Sequence, residues 1–114
     1  MTLQEFVGRY NMHDSFIESM TYSAEKSTLT LIVNFAFWMQ ESYVEGEEEN
    51  GLIELSFYNV TSYKCENFDP AGDFVGILNT ELGDGFIVIN LFDDEKDDLM
   101  ELIIYSKGVI VNKL

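Results

Sequence analysis

The chain has 114 residues, 46% hydrophobic and 14% aromatic, which is enough for one core and too apolar for intrinsic disorder. Twenty-one acidic residues against six basic ones leave a net charge of −15, a field that repels nucleic acid and anionic membranes and draws in basic partners. A single cysteine, Cys65, excludes an intramolecular disulfide.

Thr2 and Glu5 stand at capping-box spacing, and Leu3, Phe6, Val7 and Tyr10 fall on one helical stripe, which predicts a short helix over 3–10. So short a helix must lie on something to be stable. The period then changes to two. Residues 16–23, FIESMTYS, read as a strand joined through AEKS to the run 28–39, TLTLIVNFAFWM. In that run Leu29, Leu31, Val33, Phe35, Phe37 and Met39 share an apolar face. Residues 52–65 resume the alternation with Ile53, Leu55 and Phe57 inward. A phase slip at Asn59-Val60 predicts a β-bulge there.

Residues 66–73 hold the sole proline and read as a loop, and 74–82 fit either a strand or a short helix. Residues 86–92 are apolar on both faces, as in a covered strand. Residues 99–106 and 109–113 complete the set, with Lys107-Gly108 as their turn. Short spacing without intervening helices means antiparallel pairing. The expectation is a mainly β single domain over 1–114: an antiparallel sandwich or strongly curled sheet of six or seven strands with a short N-terminal helix. No basic-then-apolar leader opens the sequence and no apolar run approaches the roughly 20 residues that span a bilayer, so a cytoplasmic protein is expected.

The one histidine stands in His13-Asp14-Ser15, the residue types of a hydrolase triad. A working triad needs the imidazole to bridge nucleophile and carboxylate, which three consecutive residues do poorly. Asp-Ser is also a turn pair, so His13, Asp14 and Ser15 read as a structural turn. One histidine and one cysteine are too few for a zinc site. DDEKDD at 93–98 lacks the glycine and glutamate that an EF-hand loop requires. Glu18, Glu54 and Glu101 interrupt apolar strands and are expected on solvent faces, and Phe37, Trp38, Phe57, Tyr58 and Phe86 in the core or in cross-strand pairs. No catalytic residue, cofactor or metal ligand is assigned.

Nine of the 21 acids fall in two connections: Glu45, Glu47, Glu48 and Glu49 in one, Asp93, Asp94, Glu95, Asp97 and Asp98 in the other. They are the candidate partner-binding residues. The short helix, HDS, two alternating strands and the FYNV strand end resemble small uncharacterised bacterial proteins, some classed among immunity proteins of toxin systems. The resemblance covers roughly residues 1–60. It implies a structural role for His13, Asp14 and Ser15, and action by binding a cognate toxin. The expected function is a non-enzymatic acidic domain that binds a basic protein partner. The alternative is a small ligand-binding module or enzyme with a pocket between sheet and N-terminal helix.

Overall fold

The computed structural model describes residues 1–66, 75–93 and 97–114. Helix α1 spans Leu3–Arg9, and its capping box is complete: the Glu5 N–H donates to Thr2 Oγ1 at 3.0 Å and the Thr2 N–H to Glu5 Oε1 at 3.1 Å. Leu3 and Phe6 are buried, and Phe6 stacks on Tyr10 and meets Phe57 edge-on. The helix is therefore held by the sheet beneath it more than by its own propensity.

Among the described residues the chain forms eight strands: β1 (Phe16–Ser23), β2 (Thr28–Ala36), β3 (Asn50–Tyr58), β4 (Ser62–Glu66), β5 (Val75–Leu82), β6 (Phe86–Asp93), β7 (Asp98–Tyr105) and β8 (Gly108–Lys113). All pair antiparallel in one open sheet, in the order β4-β7-β6-β5-β1-β2-β3-β8. The alternation in sequence sets the register. Leu31 faces Leu55 and Val33 faces Ile53 across β2 and β3, so the apolar faces of both strands coincide.

The strand count exceeds the six or seven expected, and the reason lies at Asn59-Val60. The slip there is not a bulge but a break between two strands. Asn59 takes a left-handed φ of +52°, the Val60 N–H donates to Ser27 O at 2.9 Å, and the Thr61 N–H donates to Tyr105 O at 3.0 Å. The chain thereby leaves β3, next to one edge of the sheet, and enters β4 at the other edge. The bulges lie elsewhere, between Ile17 and Ser19 in β1 and between Ile77 and Asn79 in β5. The long run 28–39 also stops short as a strand. After Ala36, residues Phe37–Met39 form a single 3-10 turn. The 74–82 ambiguity resolves as strand β5, while Phe74 and nearly all of the 66–73 loop lie outside the described residues.

The sheet is not flat. Among the described residues, only Phe16↔Gly76 and Ile17↔Val75 join β1 to β5. Tyr22 of β1 meets Tyr63 of β4 with ring centroids 4.9 Å apart, although the strands stand four places apart in the order. Strands of a flat sheet would be separated there by about 19 Å. The bend lets one apolar cluster draw on both halves, with Leu31 and Leu55 from one and Ile89 and Leu102 from the other. No helix among the described residues is long and apolar enough to cross a membrane.

Candidate functional site

His13 and Asp14 form the centre of a turn closed by the Ser15 N–H donating to Met12 O at 3.1 Å, with Asp14 at φ +62°. The three side chains do different things. Ser15 is fully buried, and its Oγ accepts from the Ala36 N–H at 3.0 Å. His13 Nδ1 donates to Leu78 O at 2.8 Å, so that nitrogen carries the proton, and Nε2 lies 3.5 Å from Asp14 Oδ1. Leu78 is the extra residue of the β5 bulge, whose carbonyl the ladder leaves without a strand partner. The imidazole fills that vacancy. With the hydroxyl turned into the core and the imidazole bonded to backbone, no nucleophile–base pair exists here.

The acids Glu45, Glu47, Glu48 and Glu49 lie in the connection from the 3-10 turn to β3, and all four are exposed. Gln40 anchors the start of this loop: its Nε2 donates to Asn11 O at 2.7 Å and Ala36 O at 3.0 Å, while its Oε1 accepts from the Asn11 N–H. The loop then closes on itself. The Glu47 N–H donates to Val44 O, the Val44 N–H donates to Glu47 Oε1 at 2.9 Å, and the Trp38 N–H donates to Glu49 O at 3.1 Å. Glu47 thus shapes the loop, leaving Glu45, Glu48 and Glu49 to face outward.

Two further features adjoin this loop that sequence reasoning missed. Trp38, expected in the core or a cross-strand pair, is 43% exposed, because the 3-10 turn takes it out of the strand alternation. Trp38 is out of phase with the apolar face of 28–39 that holds Phe37 and Met39, and that position is the signal in the sequence. Lys113 of β8 places its Nζ 5.0 Å from the Phe37 ring centroid. Phe37, Ser42, Tyr43, Glu47, Glu48 and Lys113 line a shallow hollow of about 350 Å³.

The second acidic set divides. Asp93 ends β6 in register with Asp98 and is largely buried, Asp97 takes φ +54°, and Asp97 and Asp98 are exposed. Asp94 and Glu95 lie outside the described residues. The sheet order makes β3 and β6 parallel to one another, with three strands between them. The first loop enters β3 and the second leaves β6, so the two leave the sheet from opposite strand ends. The topology does not gather them at one end of the fold.

Polar grooves occur elsewhere. One near α1, about 340 Å³, runs between the helix end and β5 and is lined by Val7, Arg9, Tyr10, Gln40, Asn79 and Thr80 among others, but not by His13 or Glu54. A smaller hollow of about 230 Å³ crosses a polar row, Asn79, Asn90, Glu101 and Glu66, aligned over β5, β6, β7 and β4. Its amides pair with one another, Asn90 Nδ2 donating to Asn79 Oδ1 at 2.6 Å, and Lys64 Nζ lies 2.6 Å from Glu66 Oε1. Glu18 and Glu101 face solvent and Glu54 is half-buried, accepting from Ser56 Oγ at 3.4 Å. Among the described residues no three or more His, Cys, Asp and Glu side chains converge to hold a metal ion.

Family models, curated proteins and solved structures yield no match to this chain.

Proposed function

We propose that this chain is a cytoplasmic, non-enzymatic, immunity-like domain that binds a basic protein partner such as a toxin. The observation that carries the reading is the loop of Glu45, Glu47, Glu48 and Glu49: exposed carboxylates on a backbone already fixed by its own hydrogen bonds. A loop ordered before binding loses little conformational freedom on contact, and clustered charge speeds the encounter with an oppositely charged surface. Trp38 and Val44, exposed beside these acids, add apolar contact area. The β6–β7 acids, Asp93, Asp94, Glu95, Asp97 and Asp98, enter as a second and separate source of field. The bend of the sheet supports the finer architectural reading, a strongly curled sheet with its outer surface toward the partner.

The test begins with affinity capture from the source cell, followed by association kinetics against the captured basic partner at rising ionic strength. Association slows with added salt, and a Glu45→Gln, Glu48→Gln, Glu49→Gln variant associates about tenfold more slowly with little change in stability. A rate indifferent to both salt and these substitutions overturns the proposal.

A second reading is a small ligand-binding module, favoured by the groove between α1 and β5. Its polar lining is largely self-bonded through Gln40 and Asn79, which weakens it. A small molecule that shifts the amide signals of Tyr10, Gln40 and Thr80 without touching residues 45–49 would replace the first reading with this one.

A further inference from the structure

An open sheet has two edges, here β4 and β8. Edges expose unpaired backbone donors and acceptors and are ready templates for another strand. At β8 the orientation of those groups follows from two bonds at its upper end. The Val109 N–H donates to Met1 O at 3.0 Å, and the Met1 amine donates to Val109 O at 2.9 Å. Val109 therefore turns its backbone away from β3, and the period of two makes Val111 and Lys113 do the same. The Leu114 N–H donating back to Leu52 O confirms the phase. Met1 and Thr2 cover only the start of the edge, Thr2 bridging to Gly108. Among the described residues the backbone groups of Val111 and Lys113 face outward with nothing paired to them.

The surroundings of this stretch select its occupant. Lys113 folds its amine over Phe37 instead of projecting it across the edge, so the usual lysine guard is drawn aside. Glu47 and Glu48 share the hollow that Lys113 lines, at the open end of the edge. On the outer face Ile110 and Leu114 are exposed, with Leu52 beside Leu114. A second copy of this chain is disfavoured because each carries −15. An incoming strand with basic residues alternating with apolar ones matches both the carboxylates and the exposed aliphatic side chains.

Resting on the binding reading above, we propose that the open part of the β8 edge takes an extended segment of the basic partner as a ninth strand, bonded to the backbone at Val111 and Lys113. Strand addition of this kind draws affinity from main-chain hydrogen bonds and selectivity from alternate side chains.

The probe is a peptide of alternating Lys and Val, with a Glu–Val peptide and a backbone N-methylated Lys–Val peptide as controls. The readout is amide hydrogen exchange across the whole protein. The Lys–Val peptide slows exchange at Val111 and Lys113 about tenfold or more, and neither control does so. Val111→Pro removes one edge donor without costing a β3–β8 bond and weakens the peptide; the N-methylated peptide tests the same point should that variant fold poorly. Salt-sensitive binding that shifts residues 45–49 but leaves Val111 and Lys113 unprotected overturns strand addition while the acidic-loop reading survives. Protection confined to β4, or no binding of the Lys–Val peptide at all, overturns strand addition, and the latter also counts against the loop reading.

Discussion

Ser15 is a small polar side chain with a structural task at the centre of the molecule. Its hydroxyl is the acceptor for the Ala36 N–H at the point where β2 gives way to the 3-10 turn, and both residues are fully buried. Removing it leaves a donor without a partner and without water, a loss of about 1–3 kcal/mol. Ser15→Ala is expected to lower unfolding free energy by that amount in denaturant titration, with the m-value unchanged. A loss near zero would show that Ala36 finds another acceptor. His13 acts on a similar principle through a different bond, meeting the Leu78 carbonyl that the β5 bulge sets free. A reader of the sequence sees His-Asp-Ser and thinks of a reaction. The side-chain hydrogen bonds of His13 and Ser15 instead run to backbone groups of other segments, Leu78 and Ala36.

At the scale of elements, α1 depends on a reciprocal cap. The Thr2 N–H, then the Thr2 hydroxyl, hold the Glu5 carboxyl below its ordinary value of 4.5 by hydrogen-bonding its charged form. A depressed carboxylate pKa contributes stability that is present above the unfolded value and disappears as pH falls through the folded one. The helix is therefore expected to loosen on acidification below the ordinary glutamate range. In Thr2→Ala the Glu5 pKa, followed by NMR, should rise toward 4.5, and stability should fall by about 0.5–2 kcal/mol. A Glu5 pKa unmoved by the substitution would assign the shift to the Thr2 backbone N–H, which alanine retains. Lys64 in β4 shifts the opposite way. Its amine, hydrogen-bonded to Glu66, is raised above its ordinary value, so its contribution is present below the unfolded pKa and is lost at strongly alkaline pH. Lys64 is exposed and Glu66 partly so, and the pair sits at the outer strand of the sheet, where a lysine also discourages unwanted pairing.

The whole molecule carries more like charge than its size requires. At −15 the folded chain repels itself, and compaction brings those charges closer than they stand in the unfolded state. Salt shortens the range of that repulsion to about 10 Å at 0.1 M. The thermal midpoint should therefore rise as monovalent salt increases from low ionic strength, measured by scanning calorimetry at constant pH. A midpoint that falls instead would mean that attractive pairs outweigh the repulsion. With few ion pairs among the described residues, such as Arg9 with Glu5 and Lys64 with Glu66, screening has little attraction to remove. The same excess charge that destabilises the fold is what the proposed partner would neutralise.

Residue order alone settled the local features. The capping box, the apolar stripe of α1, the inward faces of Leu29, Leu31, Val33, Ile53, Leu55 and Phe57, and the turn at His13-Asp14 each depend on neighbours a few positions away. Period and turn chemistry are short-range properties, so they are legible one segment at a time. Four features were not legible because each involves distant parts of the chain. The slip at Asn59-Val60 fits a bulge or a strand break equally well by pattern; bonds to Ser27 and Tyr105 decide for the break. Trp38 leaves the strand in the 3-10 turn that follows Ala36, whose N–H bonds the distant Ser15 hydroxyl instead of continuing the alternation. The separation of the two acidic loops, and the open edge at Val111 and Lys113, follow from strand order, which alternation does not encode. Any antiparallel neighbour with a matching apolar face satisfies the pattern, and the choice among neighbours is made by packing in the shared core.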